Sequence, residues 1–127
     1  MSKIKILIAD DDEIYRKVLE SHLACEDFEI HFAGNGQELF SAAFAVKPDI
    51  LLLDILLGPD YGPSVYDDLL THGFDPNVPV IILSSLAKDE PPAHIAKGRK
   101  VIMHHKFISS EKLLKEILQL VRYKQGP

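Results

Sequence analysis

The chain has 127 residues, with 14 Lys and Arg against 19 Asp and Glu, so its formal net charge is −5. This length suits one hydrophobic core and excludes a second domain unless the chain is a fragment, and the hydrophobic share of 46% excludes an intrinsically disordered chain. The negative charge argues against nucleic acids and anionic membranes as partners, because their phosphates attract clustered Lys and Arg.

Cysteine content and the N-terminal sequence both predict a cytoplasmic protein. The single cysteine, Cys25, cannot form a disulfide within the chain. The sequence contains no apolar run of the roughly 18 residues that a membrane helix needs. Its first residues alternate between polar and apolar and lead directly into an apolar segment, unlike a signal peptide.

Five short apolar segments predict five β-strands. The first, third and fourth are almost continuous runs of Ile, Leu and Val, a pattern typical of parallel strands that helices cover on both faces. The second segment alternates between apolar and polar residues, which favours an edge position. In chain order the five segments are Ile4–Ala9, Glu29–Ala33, Ile50–Leu53, Val80–Leu83 and Val101–Met103.

The intervals between and after these strands predict five helices. Asn35 followed by Glu38 indicates a capped helix N-terminus, and apolar stripes at helical spacing indicate amphipathic helices. The first helix has the apolar stripe Ile14, Val18, Leu19 and Leu23. The next three helices cover Asn35 to Ala45, Ser64 to His72 and part of 89–98. The last helix runs from about Leu113 to Tyr123. Five alternating strand and helix units predict an α/β fold, (βα)5, with a doubly wound five-stranded parallel sheet.

Polar side chains follow four of the predicted strands. Asp10 and Asp11 follow the first strand, Asp54 the third, Ser84 the fourth and Lys106 the fifth. The carboxyl ends of parallel strands meet at one sheet edge, where ligands bind in such folds. Carboxylates this close together either acquire raised pKa values or bind a cation, and oxygen ligands favour Mg²⁺ over zinc. A metal, a carboxylate, a hydroxyl and an ammonium together suit phosphoryl transfer.

These residues give the sequence a family resemblance. Segments 6–16, 48–55, 80–85 and 106–108 are similar to the receiver domain of two-component response regulators, and the similarity spans nearly the whole chain. It implies a flavodoxin-like sheet with strand order 2-1-3-4-5. Residues 1–123 would form the receiver domain, and residues 124–127 would be a tail or the start of a linker.

The resemblance also implies a role for each polar residue. Asp54 would accept a phosphoryl group, and Ser84 and Lys106 would then bind that group. Mg²⁺ would be held by Asp10, through water, by Asp11 and Asp54, and by the backbone carbonyl of Leu56.

The resemblance further implies signalling partners. The phosphoryl donor would be a histidine kinase or a histidine phosphotransfer protein, and the output would be a separate protein or an effector domain missing from this chain. A stand-alone regulator and a truncated longer one remain equally open. The domain would not be an enzyme, since its chemistry would be limited to its own phosphorylation and slow autodephosphorylation. Leu56 and Leu86 occupy positions that tune dephosphorylation in the family, and both are apolar.

Some positions depart from the family pattern. Phe107 replaces the proline that usually follows the lysine, and Met103 replaces a switching aromatic residue. Either the bond before Phe107 is cis, or the loop is rebuilt and Lys106 points elsewhere. Gly58 and Pro59 indicate a shifted turn after Asp54. The departures at Phe107 and Met103 favour one alternative, a degenerate receiver that only binds a protein. A small Mg²⁺-dependent phosphatase is a second alternative, although Leu56 stands where its general acid would be.

Overall fold

The computed structural model describes residues 3–24, 27–85 and 101–125, with side chains described up to residue 122. The predicted helix within 89–98 therefore lies outside the described residues, as do Cys25 and Leu86. In chain order the strands are β1 (Ile4–Ala9), β2 (Phe28–Ala33), β3 (Ile50–Asp54), β4 (Leu56–Leu57), β5 (Asp60–Tyr61), β6 (Val80–Ser84) and β7 (Val101–His105). The described helices are α1 (Glu13–His22), α2 (Gly36–Val46), α3 (Gly62–Thr71) and α4 (Ser110–Gln125).

Five of the strands form one parallel sheet in the order β2-β1-β3-β6-β7. Counted along the chain, these strands have the order 2-1-3-4-5, so the predicted fold is confirmed. The five predicted strands match observed ones to within two residues at each end. The sequence did not predict β4 and β5, which pair as a small antiparallel hairpin directly after β3.

The core has two layers, one on each face of the sheet. Every residue of β3 and β6 is buried, as expected for central parallel strands covered on both faces. Alternate strand residues point to opposite faces. One layer contains Leu7, Leu51, Leu53, Val80 and Ile82 together with residues of α2 and α3. The other contains Ile6, Ile8, Leu52 and Ile81 together with residues of α1 and α4.

Helix α1 uses a different buried stripe from the one the sequence predicted. Leu19 and Leu23 are buried, but Ile14 is 76% exposed and Val18 is 39% exposed, so the prediction was wrong for these two residues. The inward stripe instead begins at Tyr15 and continues at intervals of four residues to Leu19 and Leu23. Ile14 and Val18 each lie one residue earlier, roughly 100° around the helix, and face solvent.

Side-chain caps fix the starts of the first two helices. Asp12 Oδ1 accepts hydrogen bonds from the backbone N–H groups of Ile14 and Tyr15 at 3.0 and 3.1 Å, which begins α1 directly after the first strand. Asn35 Oδ1 accepts from Glu38 N at 2.9 Å, which confirms the predicted cap of α2. Each cap fixes the turn between a strand end and the following helix.

Helix α4 covers the second core layer. Leu113, Ile117 and Val121 are buried at intervals of four residues, which confirms that the last predicted helix is amphipathic. Within the described parts of the chain, none of the helices is both long enough and apolar enough to cross a bilayer.

Candidate functional site

Two buried carboxylates lie side by side where β1 and β3 end. These strands are parallel neighbours, and Ala9 pairs with Leu53, so the next residues, Asp10 and Asp54, adjoin. Asp10 is 2% exposed and Asp54 is 8% exposed, whereas Asp11 is exposed to solvent. One carboxylate oxygen from each of the three residues lies within 4.8 Å of the others. The predicted meeting of the three acids at one sheet edge is therefore observed.

Lys106 provides the positive charge that faces this acid cluster. Its Nζ lies 2.8 Å from Asp10 Oδ2 and 3.1 Å from Asp54 Oδ2. The peptide bond before Phe107 is trans, and the Phe107 side chain is 89% exposed and stacks on the ring of His105. Lys106 thus reaches the acids without a cis bond and without the proline that usually follows it in the family.

The pKa values of this group reflect burial and mutual charge. Burial raises the pKa of Asp54 above its usual value, the negative charge of Asp10 raises it further, and Lys106 only partly offsets the rise. Burial by itself would lower the pKa of Lys106, but its hydrogen bonds and charge interactions with Asp10 and Asp54 outweigh that effect and raise it. Lys106 therefore remains an ammonium at neutral pH.

Ser84 lies at the carboxyl end of β6, one strand away from Asp54. It is buried, and its backbone carbonyl accepts a hydrogen bond from Lys106 N at 2.9 Å. Ser84, Asp54 and Lys106 line one open cavity of about 410 Å³, together with Asp11, Asp12, Ile55, Leu56, Gly58 and Ser85. The structure brings every predicted site residue except Asp10 to the wall of this cavity, and Asp10 lies behind it in contact with Lys106.

The loop after Asp54 contains a residue that the sequence analysis missed. A Cβ atom added at Gly62 would lie 2.1 Å from the backbone oxygen of Asp54, so only glycine fits there. Gly62 N also donates to Ile55 O at 2.7 Å, and Leu56 N donates to Asp54 Oδ1 at 3.3 Å. Gly58 takes a positive φ of 62° in the hairpin turn. The Gly62-Pro63 pair at a helix start was the available signal.

Tyr15 is the second residue that the sequence analysis missed. Its hydroxyl donates a hydrogen bond to the backbone carbonyl of Lys106 at 3.1 Å, and Lys106 Nζ lies 4.7 Å from the centre of its ring. Burial raises the pKa of Tyr15, and the negative charges of Asp10 and Asp54 raise it further, so the phenol keeps its proton. The spacing of Tyr15, Leu19 and Leu23 could have indicated that Tyr15 faces inward.

The donor set suits a hard divalent cation. Asp10, Asp11 and Asp54 offer only carboxylate oxygens, the ligand type that Mg²⁺ prefers, and neither His nor Cys belongs to the cluster. Counted over the described residues of the cluster, three carboxylates against one ammonium leave two excess negative charges, which one divalent ion would balance. The residues present therefore fit Mg²⁺.

Comparisons with known proteins agree with this geometry. A family model described as "Response regulator receiver domain" matches residues 6–118. The transcriptional regulatory protein SrrA of Staphylococcus aureus is 35% identical over 85 residues, which are 67% of this chain and 34% of SrrA. The chain thus matches about a third of the length of this curated relative.

Solved structures with the same fold are also receiver domains. The response regulator domain of Thermotoga maritima CheB has a TM-score of 0.77 at 25% identity, covering 94% of this chain and 96% of that one. The BeF3-activated N-terminal receiver domain of Klebsiella pneumoniae RstA has a TM-score of 0.78 at 24% identity, covering 93% and 98% respectively.

Proposed function

This chain belongs to the response regulator receiver domain family of two-component signalling, and we propose that it accepts a phosphoryl group on Asp54 and thereby changes which partner it binds. The observation that carries the proposal is the contact of Lys106 with both Asp10 and Asp54 in spite of Phe107. A lysine directed at two buried acids is already placed to pair with an anion on one of them.

The chemistry is an in-line transfer to a carboxylate. An Asp54 oxygen attacks the phosphorus of a phosphohistidine, a new O–P bond forms, and the P–N bond breaks with its electron pair returning to the imidazole nitrogen. Burial and the negative charge of Asp10 raise the pKa of Asp54, so its carboxylate is more basic than an exposed one. The hydrogen bond from Lys106 Nζ favours the charged form of Asp54, which is the form that attacks the phosphorus.

Mg²⁺ would be held by Asp10, Asp11, Asp54 and the Leu56 carbonyl, and when bound it supplies positive charge that offsets the charge of the transferring phosphoryl oxygens. Lys106 Nζ adds a second positive charge on the side of Asp54 Oδ2. Ser84, at the end of the adjacent strand, supplies a hydroxyl to hydrogen-bond the phosphoryl group once it is on Asp54. Preorganised donors of this kind lower the barrier because they need not reorient during the transfer.

The domain serves as its own substrate and is not a turnover enzyme. Loss of the phosphoryl group requires a water molecule aligned with the O–P bond. Leu56 lines the same cavity with an apolar side chain that is 61% exposed and cannot hydrogen-bond that water. We therefore expect slow autodephosphorylation.

The donor is a histidine kinase or a histidine phosphotransfer protein, which must dock beside Asp54. Three exposed apolar side chains are suited to such a contact: Ile14 and Val18 on α1, and Phe107 after β7. Helix α1 begins two residues after Asp11, and Phe107 directly follows Lys106. The three apolar side chains therefore belong to chain segments that adjoin the site. The output is a downstream protein or an effector domain outside this chain. The acidic domain itself binds neither nucleic acid nor membrane, and it acts in the cytoplasm.

A degenerate receiver remains the second candidate, since Phe107 and Met103 depart from the family pattern. Met103 is buried, 7% exposed, where an aromatic side chain would have to move. Such a domain would keep the fold and bind a protein without phosphorylation. A phosphatase is disfavoured because Leu56 offers no general acid.

One experiment separates the three candidate functions. The chain is incubated with Mg²⁺ and acetyl phosphate, and intact mass spectrometry follows the mass gain of one phosphoryl group. We expect a single addition in the wild type and in the control Asp68→Asn, whose carboxylate is exposed on α3. Asp54→Asn should show none. No addition to the wild type would favour the degenerate receiver, and rapid release of free phosphate would favour the phosphatase.

A further inference from the structure

Tyr15 and Lys106 are 91 positions apart in sequence, and two contacts join them. The Tyr15 hydroxyl donates to the Lys106 backbone carbonyl, and the Tyr15 ring lies under the Lys106 ammonium. The 4.7 Å between Nζ and the ring centre is within the range in which a cation is attracted to an aromatic face. One side chain thus contacts both ends of the lysine.

The remaining contacts of this loop restrain its backbone more than the lysine side chain. Lys106 N donates to Ser84 O at 2.9 Å, Ile108 N donates to His105 O at 3.0 Å, and Phe107 N donates to His105 Nδ1 at 3.1 Å. The Phe107 side chain is 89% exposed and stacks on the ring of His105, so Phe107 contributes to the loop through its backbone and not by packing on the lysine side chain. The direction of the lysine side chain is therefore set by the two acids and by Tyr15.

We propose that Tyr15 is a positioning residue for phosphoryl transfer, holding the Lys106 backbone through its hydroxyl and directing the Lys106 ammonium toward Asp54 through its ring. The inference rests on the proposed function of Asp54 and deepens it. A lysine side chain has many rotamers, and ordering them has a large entropic cost. The rigid ring of Tyr15 restricts those rotamers before the phosphoryl group arrives. The entropic cost of ordering Lys106 during the transfer is therefore smaller.

The two contacts can be removed one at a time. Tyr15→Phe keeps the ring and loses the hydrogen bond, whereas Tyr15→Leu loses both. With acetyl phosphate and Mg²⁺ we expect phosphorylation to slow about three- to tenfold in Tyr15→Phe, the fold-change typical of one lost hydrogen bond. We expect a further slowing of about two- to fivefold in Tyr15→Leu. Tyr61→Phe, at an exposed tyrosine, is the matched control and should keep the wild-type rate.

A double-mutant cycle tests whether Tyr15 acts through Lys106. In a Lys106→Ala background, Tyr15→Leu should change the remaining rate by less than about twofold, because the group it positions is gone. The same slowing in both backgrounds would show that Tyr15 acts only on folding or on the acids, and it would overturn the proposal. Circular dichroism and thermal unfolding establish that each variant is folded.

The chemical reactivity of Lys106 gives a readout that does not depend on phosphorylation. The chain is treated with a limiting amount of an acetylating reagent, and peptide mass spectrometry compares Lys106 with Lys112 of the same molecule. Tyr15→Leu should raise the relative modification of Lys106 severalfold, since the ammonium loses a shielding ring. An unchanged ratio would overturn the proposal even if the wild type is phosphorylated. If the wild type takes no phosphoryl group but the ratio rises, the function of Asp54 is refuted and the positioning of Lys106 is supported.

Discussion

Replacing Asp11 with asparagine should abolish stabilisation of the fold by Mg²⁺ while leaving the metal-free fold almost unchanged. Asp10 and Asp54 are buried and contact Lys106, so their removal would disturb a buried charge network. Asp11 is exposed, and its carboxylate belongs to the same cluster of three. Asp11→Asn therefore removes one metal ligand at little cost to packing.

The charges in the cluster explain why a divalent ion should bind, and the binding equilibrium gives the expected rise in Tm. Without metal, three carboxylates face one ammonium, and a bound divalent ion balances the excess. An ion that binds only the folded state adds about 1.4 kcal/mol to the free energy of unfolding at ten times its Kd. For a domain of 127 residues, average unfolding entropies convert this to a rise in Tm of about 5 °C.

The assay is a Mg²⁺ titration followed by thermal unfolding at constant ionic strength. The wild type should gain Tm along a saturable curve, and Asp11→Asn should gain almost nothing over the same range. Glu13→Gln is the matched control, because it removes one exposed negative charge two residues away and should keep the full gain. An equal rise in all three proteins would mean that Mg²⁺ acts by general screening, and the assigned metal site would be refuted.

Three further outcomes test the site. Asp54→Asn should raise the free energy of unfolding at neutral pH without metal, because burial and the negative charge of Asp10 disfavour the Asp54 carboxylate. The gain in stability of Asp54→Asn should shrink as the pH falls through the raised pKa of Asp54, because the wild-type carboxyl is then also neutral. A gain that stays constant with pH in denaturant unfolding would contradict this prediction. Gly62→Ala should lower the free energy of unfolding by about 3 kcal/mol, since its Cβ would clash with the Asp54 carbonyl oxygen. Gly34→Ala should lose far less, because its Cβ would meet only the ends of two flexible side chains, Glu38 at 3.3 Å and Arg16 at 3.5 Å. Leu56→Asn should speed the decay of phosphoaspartate about three- to tenfold by hydrogen-bonding the attacking water; an unchanged decay rate in a phosphate-release assay would eliminate this role.

The fold was predictable because its central strands and its helix starts each have a recognisable pattern in the sequence. Continuous apolar runs identify the central strands, and the Asn35 cap identifies the start of α2. Short segments without a hydrophobic period leave no such signal, which is why β4 and β5 were missed. The error on α1 has a related cause, since Ile14 and Val18 are apolar at helical spacing and yet face solvent. Hydrophobic periodicity locates an apolar face but does not reveal which side packs on the sheet.

The candidate site was predictable as far as strand ends determine it. Asp10, Asp54 and Ser84 are placed by the ends of parallel strands, whose register the fold fixes. Gly62 and Tyr15 depend on approaches between separate elements, which no local pattern encodes. The direction of the Lys106 side chain could not be predicted, because the family pattern has proline where this sequence has Phe107. In the structure the bond before Phe107 is trans, and the contacts with Tyr15 help to determine where Lys106 points.

Two groups that would sense the phosphoryl group are joined by a hydrogen bond. Lys106 N donates to the carbonyl of Ser84, so a shift of β6 toward a phosphorylated Asp54 would also pull the loop after β7. The backbone carbonyl of Lys106 also accepts a hydrogen bond from the hydroxyl of Tyr15 on α1. If Asp54 is phosphorylated, we expect the Lys106 ammonium, which already lies 3.1 Å from Asp54 Oδ2, to pair with the phosphoryl oxygens. Because Ser84 at the end of β6 and Tyr15 on α1 both hydrogen-bond the Lys106 backbone, we expect a movement of the loop at Lys106 to be transmitted to both elements.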